Sequence, residues 1–105
     1  MSRRDDERVA DILDAASEMA EIIELGRDAW DKDRIRRLAV ERLLEIVGEA
    51  ANSLSEDFRT QHPWRDIIGL RVVLAHHYHR VDSNQVWVIA ATEVPRLAQD
   101  IRPAE

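Results

Sequence analysis

Apolar residues recur at steps of three and four through almost the whole chain, and that spacing restricts it to helices. From Asp5 to Leu25 the repeating residues are Val9, Ile12, Leu13, Ala16, Met19, Ala20 and Ile23. They define one face of a first helix, with Asp5, Asp6 and Glu7 in its first turn, where the helix dipole favours negative charge. Gly26 is placed to end it in a left-handed cap. A polar linker at residues 27–33 leads to a second helix from about Asp33 to Asn52, with Ile35, Leu38, Ala39, Leu43, Ile46, Val47 and Ala50 on one face. Ser53 to Glu56 fits a capping box and starts a short helical turn near residues 54–61. Pro63 suits the first position of a third long helix beginning near Trp64, whose apolar content is Ile67, Ile68, Leu70, Leu74 and Ala75.

Asp82 to Gln85 makes another capping box. The last helix follows, with Val86, Ala90, Val94, Leu97 and Ile101 at steps of three and four. Pro95 lies inside it and is expected to kink it near Ala91, whose carbonyl loses its partner. Gly48 and Gly69 interrupt two helices and suggest tight crossings. No strand-like alternation occurs. The pattern predicts an all-α, up-and-down four-helix bundle with one short extra turn. A length of 105 residues makes one domain, residues 1–105, with a single core.

Formal net charge is −6, which argues against a surface coated for gripping duplex DNA but leaves room for a local basic cleft. The absence of cysteine excludes disulfides and thiolate metal sites. The N-terminus lacks the apolar core of a signal peptide, and no stretch approaches the length of a membrane span. The expected location is the cytoplasm.

Chemistry concentrates in the stretch WRDIIGLRVVLAHHYHRVD, from Trp64 to Asp82. Three of the chain's four histidines and its only tyrosine are four consecutive residues, 76 to 79. Arg71, His76 and Tyr78 stand at a fixed spacing, Arg-x4-His-x-Tyr. Arginine is a permanent cation shaped to grip phosphate. Histidine moves protons near neutral pH. On a regular helix Arg71 and Tyr78 are nearly in line, while His76 points about 140° away. For Arg71 and His76 to serve one site the helix must end near His76, or two copies must combine about a two-fold axis. Taken singly, Arg71 also reads as a salt-bridge partner of Glu49, His76 as a helix-end residue and Tyr78 as a packing residue. His76 and His79, three apart, are the start of a metal site that Asp82 would have to complete. His62 reads as a loop residue, and Trp30, Trp64 and Trp87 as packing anchors scattered over different elements. Arg34, Arg36, Arg37 and Arg42 read as a solvated face.

These residues carry a resemblance. The segments LEIVGEAANSLSEDFR, HPWRDIIGLR and AHHYHRVD, followed by VW and VPRL, resemble the HepT-like branch of the HEPN superfamily, the toxin half of HEPN–MNT toxin–antitoxin pairs. Arg71, His76 and Tyr78 fall on that family's Arg-x4-His-x-Tyr signature. The resemblance implies a HEPN-like bundle that acts as a homodimeric, metal-independent RNase of a type VII module. In that reading Arg71 holds the scissile phosphate, His76 is the general acid or base, and a 2′,3′-cyclic phosphate is formed. Tyr78 resembles the tyrosine to which a cognate nucleotidyltransferase antitoxin transfers AMP. The toxin itself would need no cofactor, whereas the antitoxin would use ATP and Mg. Val72 stands where the family usually carries a polar residue, and the loop at HPWR is shorter than usual. These departures favour an alternative, a catalytically inactive HEPN dimer that binds a partner or nucleotide.

Overall fold

The computed structural model describes residues 3–60 and 82–102. Every regular element among them is helical. The first helix, α1 (Arg3–Glu24), buries Val9, Ile12, Ala15, Ala16 and Met19. Leu13 and Ile23 pack at the edge of that stripe, whereas Ala20 is exposed. The helix ends with Leu25 N–H donating to the Ile22 carbonyl at 3.2 Å and Gly26 N–H to that of Ile23 at 3.0 Å. Gly26 has φ 95° and ψ 168°. Its φ is positive, as expected, but its ψ is extended rather than left-handed helical, a combination essentially confined to glycine.

The expected polar linker after Gly26 is itself a helix, α2 (Arg27–Lys32). The reason is Trp30, which is 1% exposed and gives six otherwise polar residues an apolar anchor. Asp33 both stops α2 and caps α3 (Arg34–Asn52), its carboxylate accepting from the N–H groups of Ile35 at 3.0 Å and Arg36 at 3.3 Å.

The buried face of α3 agrees with the expected one at Val47 and Ala50 but is rotated away from it towards the N-terminal end. Val40, Leu44, Val47 and Ala51 are buried against α1, while Ile35 is 77% exposed and Leu38 42%. Leu43 and Ile46 are only half-buried. The helix is apolar on two sides, and a count of apolar steps alone does not say which side meets α1. Gly48 is buried within α3; Gly69 lies outside the described residues.

Ser53 closes α3 rather than opening the next turn, its hydroxyl donating to the Glu49 carbonyl at 3.0 Å. The short helix α4 (Glu56–Arg59) starts two residues later, capped by Ser55, whose hydroxyl accepts from Phe58 N–H at 3.3 Å. A third long helix from near Trp64 falls on residues 61–81, outside the described residues.

The chain resumes at Asp82, the expected cap of α5 (Ser83–Val88), accepting from Asn84 N–H at 2.8 Å. A π-helical turn, Ile89–Glu93, then leads into α6 (Val94–Ile101), with Pro95 in its first turn. The wide turn is how the helix absorbs the proline: Val94 N–H reaches back five residues to the Ile89 carbonyl. Thr92 Oγ1 donates to the Val88 carbonyl at 2.5 Å, a local bond that also loosens the ladder. The expected face holds, since Val86, Ala90, Val94, Leu97 and Ile101 are all buried.

In the core, α1 lies along α3, and the π turn and α6 close over α1. Burying side chains such as Leu44 contributes about 1.5–3 kcal/mol each. No described helix is long and apolar enough to cross a membrane.

On α3, Glu41 is half-buried, and desolvation, reinforced by the neighbouring Glu45 carboxylate, raises its pKa above 4.5. Arg34 and Arg37 oppose the shift without cancelling it. A raised carboxylate stabilises the fold below its unfolded pKa and loses that contribution as pH rises through its folded pKa. Glu41→Gln is therefore expected to raise the urea midpoint at pH 7, with the gain shrinking as pH falls towards 4.5, read from denaturation curves across that range.

Candidate active site and its anchors

Arg71, His76 and Tyr78 lie within residues 61–81, outside the described residues, as do His62, Trp64, Val72, His77 and His79. The structure describes the two ends between which this stretch runs. Each end is tied to a different helix by side-chain bonds that local sequence does not announce.

On the N-terminal side the anchor is Asp5. Its acidic character suits the first turn of α1, yet it is only 3% exposed. Its Oδ1 accepts from Ser55 N–H at 2.9 Å, and its Oδ2 accepts from the Ser55 hydroxyl at 2.8 Å. Ser55 thus donates to α1 while accepting from Phe58 N–H to start α4. A buried carboxylate needs such donors, because burial without them costs several kcal/mol. The start of α1 and the start of α4 are locked together, 50 residues apart in sequence.

On the C-terminal side the anchor is α2. Trp30 Nε1 donates to Ser83 Oγ at 3.1 Å, and Arg27 donates from Nη2 to Asn84 Oδ1. The rings of Trp30 and Trp87 lie 5.5 Å apart at 60°, and the Arg27 guanidinium sits 5.7 Å from the Trp87 centroid. Asp31 holds Arg27 there at 3.0 Å. As expected, these two tryptophans stand on different elements and serve as packing anchors, here against each other. Arg37 completes the cluster by donating from Nη1 to the carbonyls of Trp30 at 2.7 Å and Asp31 at 2.9 Å, closing the C-terminal end of α2. It is thus a structural member of a group read from sequence as a solvated face. Arg36 and Arg42 do make exposed pairs, with Asp33 at 3.3 Å and Glu45 at 3.0 Å.

This chain of contacts, from Arg37 through Trp30 and Arg27 to Ser83 and Asn84, fixes the first turn of α5. Tyr78 precedes its cap, Asp82, by four residues. Asp82 turns one oxygen towards Asn84 N–H, and among the described residues no group of three or more His, Asp or Glu side chains is arranged to hold a metal ion. The histidines of the metal alternative lie outside those residues.

Residues 12–104 match the profile of the ribonuclease HepT-like family, a span that includes the whole Arg-x4-His-x-Tyr sequence. The chain belongs to that family. Among curated proteins it is similar to "Putative RNase MJ1380" of Methanocaldococcus jannaschii, with 33% identity covering 96% of this chain and 97% of that protein. It is also similar to "Putative RNase MJ0127" of the same organism, at 34% over 90% of this chain and 76% of the relative. "Probable ribonuclease HepT" of Thermococcus cleftensis is 37% identical over 62% of each chain. No solved structure matches the chain. Family membership agrees with the all-helical architecture and supports ribonuclease activity at the level of the family.

Trp30 carries the C-terminal anchor, and its loss is expected to be severe. Trp30→Ala should cost about 3–5 kcal/mol in chemical denaturation, and Ser83→Ala only about 1 kcal/mol, since the indole body stays buried.

Proposed function

We propose that this chain is the toxin component of a type VII HEPN–MNT toxin–antitoxin module, a metal-independent RNA endonuclease acting as a homodimer. The observation that carries the reading is the family match over residues 12–104, a span that takes in Arg71, His76 and Tyr78, together with the similarity to proteins named as RNases. RNA supplies its own nucleophile, the 2′-hydroxyl, so the protein needs only to move protons and stabilise charge. His76 takes the 2′-hydroxyl proton or gives one to the leaving 5′-oxygen. Arg71 holds the scissile phosphate and stabilises the charge that develops on it. The 2′-oxygen bonds to phosphorus as the 5′-oxygen leaves, and a 2′,3′-cyclic phosphate results.

Tyr78 is the regulatory residue in this reading. A cognate nucleotidyltransferase antitoxin, using ATP and Mg, transfers AMP to the Tyr78 oxygen, with pyrophosphate leaving from the α-phosphate as the phenol gives up its proton. The added phosphate neutralises Arg71 and crowds the cleft, giving inhibition an electrostatic cause. A second reading is favoured by Val72, an apolar residue where the family usually carries a polar one. It makes the chain a catalytically inactive dimer that binds a partner or nucleotide.

Arg71→Ala and His76→Ala separate the two. Each is expected to lower cleavage of a single-stranded RNA by about 10²-fold or more and to relieve growth arrest. Cleavage unchanged by both, or absent from the parent protein, favours the inactive dimer. Co-expression with the neighbouring gene tests Tyr78 separately: intact-mass spectra should show added AMP units that vanish in Tyr78→Phe.

A further inference from the structure

Three consecutive side chains at the start of α5 are each held by a separate bond. Asp82 accepts from Asn84 N–H at 2.8 Å, Ser83 Oγ from Trp30 Nε1 at 3.1 Å, and Asn84 Oδ1 from Arg27 Nη2. Trp30 explains how α2 stays on the core, since it is 1% exposed and packs on Trp87. Arg27 does not serve that purpose.

The Arg27 side chain is 42% exposed and that of its partner Asp31 52%. Exposed ion pairs of this kind add little to stability. Even so, Arg27 is held from three sides, by Asp31 at 3.0 Å, by Asn84 and by the Trp87 ring, whose centroid is 5.7 Å away. Fixing a long side chain costs rotamer entropy, and a planar guanidinium spends it on direction. Asp31 sets the guanidinium, the indole limits its tilt, and Nη2 then aims the Asn84 side chain. Asn84 N–H in turn bonds Asp82. A run of polar contacts thus passes from Asp31 through Arg27 and Asn84 to the residue that caps α5.

Covalent geometry carries the effect back along the chain. Tyr78 stands four residues before Asp82, and His76 six. Four residues span at most roughly 14 Å and six roughly 21 Å. The orientation of Asp82 therefore bounds where both side chains can stand.

We propose that Arg27 is a positioning residue: through Asn84 it sets the angle of the first turn of α5, and with it the placement of Tyr78 and His76. The consequence for cleavage rests on the ribonuclease reading above; the placement of Tyr78 does not.

Tyr78 is the chain's one tyrosine, so 3-fluorotyrosine gives the full chain a single fluorine resonance at that residue. Arg27→Ala and Asn84→Ala are each expected to shift it while the helical circular dichroism and urea midpoint stay close to the parent's. The double variant should shift it no further than either single one, because the two side chains act as a unit. Asn84→Asp keeps an acceptor for Arg27 and should keep the parent resonance. Arg27→Lys keeps the charge without the planar fork and should behave as Arg27→Ala. Arg42→Ala, which removes an exposed pair on α3, should leave the resonance in place. In RNA cleavage the two alanine variants are expected to lose about tenfold in kcat, with KM within about twofold of the parent, because chemistry is misplaced and binding is kept. A resonance unmoved by both alanine variants, an equal shift in Arg42→Ala, or additive shifts in the double variant overturns the proposal. A loss confined to KM does the same. A parent that cleaves no RNA removes the ribonuclease reading, and the fluorine spectra then decide the placement of Tyr78 by themselves.

Discussion

Everything described in this molecule depends on two apolar stripes meeting along their length: Val9, Ile12, Ala16 and Met19 of α1 against Val40, Leu44, Val47 and Ala51 of α3. Most of a helix's stability in a protein comes from packing of its amphipathic face, so each of these two leans on the other's surface. The π turn and α6 close over α1, adding Ile89, Val94, Leu97 and Ile101 to the same core. Short elements then fasten to this frame by single side chains. Trp30 pins α2, Asp5 pins the start of α4, and Ser83 ties α5 back to Trp30.

The described long helices and the cap at Asp82 were legible because periodicity and capping are local properties. Asp33 and Asp82 cap where a short polar side chain precedes a periodic run, and the buried face of the last helix follows its apolar spacing residue by residue. Three features were not legible. Six residues around Trp30 are too few for a period to show, so α2 reads as a linker. Ser53 and Ser55 are both acceptable caps by composition. The choice falls to Ser55, because Asp5, 50 residues earlier, supplies a carboxylate for its hydroxyl and N–H to donate to. On α3, apolar residues exceed what one interface needs, and only the position of α1 selects Val40 and Leu44 over Ile35 and Leu38.

The functional residues were read from spacing and resemblance, and the family match extends over all of them in sequence. Arg71, His76 and Tyr78 lie between two anchors that local sequence gave no reason to connect. Asp5 is a first-turn acid like many others, and Arg27, Trp30, Ser83 and Asn84 belong to segments more than 50 residues apart. Such contacts come from chain topology, and a sequence window does not contain them. Their effect is to fix the entry and exit of the chemically richest stretch to the part of the fold with the largest core.

The widened turn before Pro95 has a consequence for helix phase. From Val86 to Ile101 is a span of fifteen residues, about 60° more than four full turns of a regular α-helix. On an unbroken helix Ile101 would sit about 60° round from Val86, towards the edge of the buried stripe. A π turn holds more than four residues, so its slower rotation takes up that excess and brings both ends back into line. The proline and the broad turn thus work as a phase adjuster, by which a stripe spaced slightly too widely for an α-helix stays pointed at one interior.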